Sequence, residues 1–152
     1  MSPLRILLIV LLPHSVVIEA LADTPQSQWQ SVTLAGDKIG HRQLLRESDR
    51  ETVSTTETLV LTLKQPGETP RSSETVMTYT ESLRGAPLAV SKSLHSQSAN
   101  YQMAARVEGD RWVVSRQTGE GGDKVTMPLP EGLMLREGVR LALLALSGDV
   151  RE

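Results

Sequence analysis

The residues of this sequence that could bind a metal or act as a catalytic base are few and widely spaced. His41 and His95 are the two histidines that follow the N-terminal segment. Neither has a second ligand at the short spacings typical of metal sites on helices or turns. The chain has no cysteine, which excludes disulfides, cysteine-based zinc sites and thiol nucleophiles. Both histidines are therefore interpreted as strand surface residues, and neither a metal site nor a cofactor is predicted.

Hydroxyl and carboxylate side chains are more frequent, but their spacing indicates no catalytic group. Serines are concentrated at Ser72–Ser73 and between Ser91 and Ser98, without the Gly-x-Ser-x-Gly pattern of a hydrolase nucleophile. Carboxylates cluster around one chain reversal, at Glu47, Asp49, Glu51 and Glu57. Their spacing differs from that of an EF-hand loop, and it predicts a charged hairpin tip. No catalytic residue is predicted, and we do not expect an enzyme.

Two glycine-containing segments resemble phosphate-binding loops only superficially. A phosphate loop needs a helix whose N-terminal N–H groups point at the anion. The pattern after Gly36–Gly40 is that of a strand, and no helical pattern follows Gly119–Gly122 either. The first segment is interpreted as a hairpin turn and the second as a flexible loop.

The N-terminal segment, residues 1–22, has the pattern of a secretory signal peptide. Arg5 precedes an apolar run from Ile6 to Leu12, and the segment ends with the small-x-small sequence Ala20-Leu21-Ala22. The sequence predicts cleavage before Asp23 and a periplasmic or secreted protein, with an uncleaved membrane anchor as the alternative. Because the apolar run is shorter than the roughly 20 residues that cross a bilayer, we expect no membrane span after cleavage.

The chain after this segment has the alternation of β-strands. Residues 23–28 are polar and predict a flexible leader, whereas residues 29–134 predict an antiparallel β domain. Leu59, Leu61 and Leu63 alternate with polar or β-branched residues, as in a strand with one buried face. Turn residues recur about every ten positions without a helical pattern between them, which favours hairpin-connected strands.

The final segment, residues 135–152, predicts a helix and a tail. Apolar residues are dense from Leu135 to Leu146, and Gly148 is placed to end a helix. The predicted fold class is therefore mainly β: a long-stranded antiparallel meander that forms a curved open sheet or half-barrel, with one C-terminal helix covering part of its apolar face. Trp29 and Trp112 are predicted to be core residues, because each buries a large area.

A set of turn motifs resembles a known group of proteins. The succession from Trp29 through Gly36-Asp37-Lys38-Ile39-Gly40, then Arg84-Gly85-Ala86-Pro87-Leu88, then Pro128-Leu129-Pro130, is similar to the β-rich N-terminal region of exported bacterial transglutaminase-like proteins. In that group the region precedes a separate papain-like domain with Cys, His and Asp. No catalytic residue is carried over to this chain, because it has no cysteine. The resemblance implies an accessory β domain, either standing alone or as a fragment of a longer protein.

These observations predict a non-catalytic domain that binds or positions a protein or peptide partner, or a companion transglutaminase-like catalytic domain. The alternative is a periplasmic carrier that holds a lipid or acyl chain in the concave face of a half-barrel. The formal net charge of −2 gives no electrostatic reason to expect nucleic acid as a partner. The sequence assigns no ligand-binding residue.

Overall fold

A computed structural model describes residues 24–64, 67–118 and 121–148 of the chain. This part of the chain forms eight β-strands followed by one α-helix. The strands and the helix are β1 (Gln26–Leu34), β2 (Asp37–Ser48), β3 (Thr52–Leu63), β4 (Arg71–Ser82), β5 (Pro87–Ser96), β6 (Asn100–Glu108), β7 (Arg111–Thr118), β8 (Gly121–Pro128) and α1 (Arg136–Gly148). The predicted signal peptide, residues 1–22, lies outside the described residues.

The eight strands form a single antiparallel sheet in which each strand pairs with its neighbours in sequence. The strand order is β1 to β8, and β1 does not pair with β8, so the sheet is open. The predicted fold class is confirmed: a mainly β antiparallel meander with one C-terminal helix. In such a meander every residue's position across the sheet follows from the register of successive hairpins.

The hairpin turns use residues whose backbone preferences suit tight reversals. Ala35 and Gly36 both have positive φ, at 52° and 94°, which is the conformation that the first two-residue loop requires. At the second reversal the Asp49 carboxylate accepts the backbone N–H groups of Glu51 and Thr52 at 2.8 and 2.7 Å. These bonds lower the pKa of Asp49 and stabilise the turn.

The alternation of side chains gives the sheet two chemically different faces. We call the side on which α1 lies the helix face; it carries apolar residues such as Leu59, Met77 and Tyr79. We call the other side the hydroxyl face, because Thr56 and Thr78 lie there with many further Ser and Thr residues. The predicted alternation of apolar and polar residues is therefore present across the sheet.

Few side chains are fully buried, and most of those lie on the helix face. Val53, Thr55 and Trp112 are 1%, 5% and 7% exposed. α1 contacts β3 and β4, so the helix covers only part of this face. The exception is Val113, which is buried on the hydroxyl face. The structure confirms that Trp112 is a core residue.

Four sequence-based expectations are corrected by the structure. β1 begins at Gln26, so the last three residues of the predicted leader belong to the sheet. Trp29 is 62% exposed, because it lies on edge strand β1 where only one neighbouring strand can cover it. Gly121 opens β8 instead of lying in a flexible loop. Glu57 is near the middle of β3 and not at a hairpin tip.

The helix bounds also differ slightly from the prediction. α1 starts at Arg136, one residue later than predicted, and within the described residues it ends at Gly148, the residue predicted to end the helix. Val139, Leu143 and Leu146 are 46%, 61% and 65% exposed on α1. No helix among the described residues is both long enough and apolar enough to span a bilayer.

Candidate functional site

A groove crosses the hydroxyl face from β4 to β8. The register aligns Thr78, Ser91, Ala104, Ser115 and Lys124 as direct neighbours on these five strands. The first four side chains are short, and on β6 and β7 this floor lies between the longer Gln102 and Gln117 on one side and Arg106 and Val113 on the other. With strands about 4.8 Å apart, the three spacings from Thr78 to Ser115 make the floor roughly 14 Å long, and the row including Lys124 is roughly 19 Å long.

The two sides of the groove have different chemistry. On one side Gln102 of β6 is the direct partner of Gln117 of β7. On the other side Arg106 is paired across strands with the buried Val113. The space between them comprises two adjoining cavities of about 760 and 310 Å³, which share Ser91, Ala104, Ser115 and Lys124 as lining residues. These volumes are in the range of small-ligand and peptide sites.

Several hydrogen-bonding side chains of the groove have no partner within the described part of the chain. They are Ser91, Ser93, Gln102, Gln117 and Lys124. Other polar side chains on this face are paired: Thr56 with Thr78 at 3.2 Å, and Arg106 with Glu108 at 2.5 Å. The groove therefore presents free donors and acceptors to whatever occupies it, and Lys124 adds a positive charge that has no ion pair among the described residues.

A second polar cluster, on the helix face, holds α1 against the sheet. Glu81 is fully buried at the end of β4, and its carboxylate accepts the backbone N–H groups of Glu137 and Gly138 at 2.6 and 2.9 Å. The first N–H groups of a helix have no partner within the helix. A carboxylate there also interacts favourably with the helix dipole. Glu81 thus caps α1 from a different element of the fold.

The Glu137 side chain joins this cluster through two arginines. Arg140 donates two hydrogen bonds to the Glu137 carboxylate, at 2.9 and 2.6 Å, and Arg46 of β2 donates two more at 3.1 Å each. These bonds, Arg140 first, outweigh the cost of burial and lower the pKa of Glu137 from 4.5 to about 2. Glu137 therefore remains ionised at neutral pH and links β2 to the first turn of α1.

Glu57 makes a similar link at the edge of this cluster. Its carboxylate accepts a hydrogen bond from Arg42 of β2 at 2.6 Å and pairs with Arg136 at the start of α1. The bond from Arg42 is the main cause of the lowered pKa of Glu57. The Arg136 guanidinium also lies 5.4 Å from the centre of the Tyr79 ring. All charges of the cluster are thus engaged in holding the helix, and the cluster is structural in character.

The structure keeps apart the histidines considered for catalysis or metal binding. His41 of β2 lies beside the exposed Trp29 ring, with centroids 5.3 Å apart. His95, at the end of β5, contacts Asn100 at 3.3 Å. Within the described ranges no three His, Asp or Glu side chains are grouped as a metal site would require.

The groove is the feature that sequence reasoning did not find. Its floor consists of one short side chain from each of β4, β5, β6 and β7, and these residues are visible in the sequence as Thr78, Ser91, Ala104 and Ser115. Only the register shows that these positions lie side by side.

Comparison of the chain with protein-family models, with curated proteins and with solved structures found no match.

Proposed function

We propose that this chain is an exported, non-catalytic β domain that binds a protein or peptide partner in the groove on its hydroxyl face. The observation that carries the proposal is the set of polar side chains, Ser91, Ser93, Gln102, Gln117 and Lys124, that have no partner among the described residues and line a groove of about 760 Å³. When a ligand occupies the groove, its hydrogen bonds replace those that the polar side chains otherwise make with water, so that these side chains keep their partners. A polypeptide supplies such groups at every residue.

Export and the absence of catalysis are parts of the same proposal. Export is supported by the signal-like pattern of residues 1–22. A non-catalytic role is supported by the separation of His41 and His95, which lie on strands β2 and β5. Among the described residues, His41 lies beside the Trp29 ring and His95 contacts Asn100. A companion transglutaminase-like catalytic domain is one partner that the resemblance of the turn motifs would suggest.

The alternative, a carrier of lipid or acyl chains, receives no specific support from the groove. The groove lies on the face opposite α1, and its lining is rich in hydroxyl and amide groups, at Ser91, Ser93, Gln102 and Gln117. An acyl chain would leave these groups without hydrogen bonds. The carrier function stays a prediction of the sequence.

Peptide selection with matched groove variants tests the proposal. The full chain would be immobilised and used to select from a displayed library of random twelve-residue peptides, and enriched clones would be retested on two variants. Ser91→Trp fills the groove, whereas Ser31→Trp places the same side chain at an exposed position of the same face on β1, outside the groove.

We expect enriched clones to bind the wild-type chain and Ser31→Trp, and to lose at least tenfold in affinity for Ser91→Trp. Clones that bind all three proteins equally, or a library that yields no enriched clones, would contradict the proposal. Circular dichroism of both variants checks that the sheet is retained.

A further inference from the structure

We infer that the groove binds an extended peptide lying across the strands, with an acidic residue at its β8 end. This inference rests on the proposed function and adds the conformation and chemistry of the ligand. It draws on the length of the floor, on the Gln102–Gln117 pair and on the position of Lys124.

The dimensions of the groove favour an extended chain. The row from Thr78 to Lys124, roughly 19 Å long, matches about six residues of extended polypeptide at about 3.3 Å per residue. The rows of side chains on either side of the floor are two residues away along each strand, so they lie roughly 7 Å from it.

The glutamine pair suits the peptide backbone. Each glutamine amide offers an N–H₂ donor and a C=O acceptor, which matches the donor and acceptor of one peptide group. Gln102 and Gln117 are direct cross-strand partners on the same side of the floor. Neither side chain bonds another group in the described part of the chain. Together they can bind two peptide groups of a chain that runs along the floor.

The charges give the ligand a direction. Lys124 closes the row at β8 and has no ion pair among the described residues, whereas Arg106 is neutralised by Glu108. The one carboxylate among the described residues that line the groove is that of Asp123, and it pairs with Arg116. The free charge is therefore at one end of the groove, and an Asp or Glu side chain of the ligand would pair with it.

An acidic oligosaccharide is the other polymer that could carry matching groups. The lining of the groove makes it the weaker candidate, since none of the residues described along the two cavities is aromatic and flat sugar faces would have no ring to stack on. The peptide is favoured because its regular amide groups match the glutamine pair.

A charge-swap experiment on the full chain tests this inference. Random twelve-residue peptides would be selected on the wild-type chain, synthesised with Glu or with Lys at the position where acidic residues are enriched, and titrated against wild type and Lys124→Glu. We expect the Glu peptide to bind Lys124→Glu about tenfold more weakly than it binds wild type. The Lys peptide should bind Lys124→Glu nearly as tightly as the Glu peptide binds wild type. Gln102→Ala with Gln117→Ala should weaken both peptides to the same degree.

The outcomes separate this inference from the proposed function. If Ser91→Trp abolishes peptide binding while Lys124→Glu changes neither peptide, the groove binds peptides but the acidic end is wrong. If no peptide binds and an acidic oligosaccharide does so with loss on Ser91→Trp, the peptide assignment is overturned. If Ser91→Trp has no effect on any ligand, the proposed function itself fails.

Discussion

At the scale of single residues, Glu81 makes the contact on which the position of α1 depends most directly. The side chain is fully buried and accepts two backbone N–H groups from the first turn of the helix. A buried carboxylate is normally costly, and here two donors and the helix dipole offset that cost. Removing the acceptor would leave both N–H groups buried without partners.

We predict that Glu81→Gln destabilises the protein. The amide retains one acceptor oxygen but directs its N–H₂ group toward one of the two backbone donors. Loss of that bond should lower the free energy of unfolding by about 1–3 kcal/mol. Urea unfolding followed by tryptophan fluorescence measures the change. Glu74→Gln, at an exposed position of the same strand, serves as the control, and equal stability of the two variants would refute the assigned role.

Glu137 makes the stability of the protein depend on pH. Arg140 and Arg46 hold its pKa near 2 in the folded protein, below the ordinary value of 4.5. Because folding lowers this pKa, the ionised carboxylate stabilises the folded state above about pH 4.5, and that contribution is lost as the pH falls toward 2.

We therefore predict that Glu137→Gln is less stable than wild type at pH 7 and that the difference shrinks between pH 4.5 and 2. Urea unfolding at a series of pH values measures both effects. Glu131→Gln, at an exposed position before the helix, should follow the wild-type curve. Parallel pH profiles for wild type and Glu137→Gln would show that the two arginines do not stabilise this carboxylate.

At the scale of elements, the contact between α1 and the β4–β5 turn depends on two glycines. A Cβ atom added to Gly138 would lie 2.8 Å from the Gly85 carbonyl oxygen and 3.3 Å from the Met134 Cβ atom. Gly85 itself has φ of 79°, a conformation that other residues adopt only with strain. The absence of side chains at these two positions lets the helix approach closely enough for Glu81 to reach its N–H groups.

We predict that Gly138→Ala is destabilising by about 1–3 kcal/mol, since the new methyl group pushes the helix from the turn. In a helix without this contact the same change would stabilise by about 1 kcal/mol. The sign of the change is therefore diagnostic. Ser147→Ala, at an exposed position of α1, is the control, and hydrogen exchange of the α1 amides should increase only in Gly138→Ala.

At the scale of the whole molecule, one open sheet presents two surfaces with different side chains. The helix face carries the buried side chains of Val53 and Trp112, and α1 contacts β3 and β4 on this face. The hydroxyl face has a groove with free polar groups along β4 to β8. Since the sheet does not close, the hydroxyl face stays open to solvent.

We predict that removing the helix exposes the core while leaving the strand sequence intact. A chain ending at Pro130 should bind the dye ANS strongly and unfold without a cooperative transition, because helix-face residues such as Val53 lose their cover. A chain ending at Gly148 should behave like wild type. Cooperative unfolding of the shorter chain would show that the sheet is stable without α1.

The sequence by itself determined the strands, most of the turns and the C-terminal helix. Period-two alternation and turn residues are local signals, so they also indicated which side chains share a face. The same signals misplaced Trp29, because nothing local shows that a strand lies at the edge of a sheet. The start of β1 and of α1 differed for a related reason, since element ends are fixed by partners and not by propensity.

Only the tertiary structure decided where the candidate sites lie. Glu81 and Glu137 are 56 positions apart, and no local pattern connects a strand carboxylate to a distant helix N-terminus. The groove likewise depends on the register of four successive hairpins, since a slip of one residue would turn each floor residue to the other face. Short side chains were visible in the sequence, but pairing between strands was needed to align them into a groove.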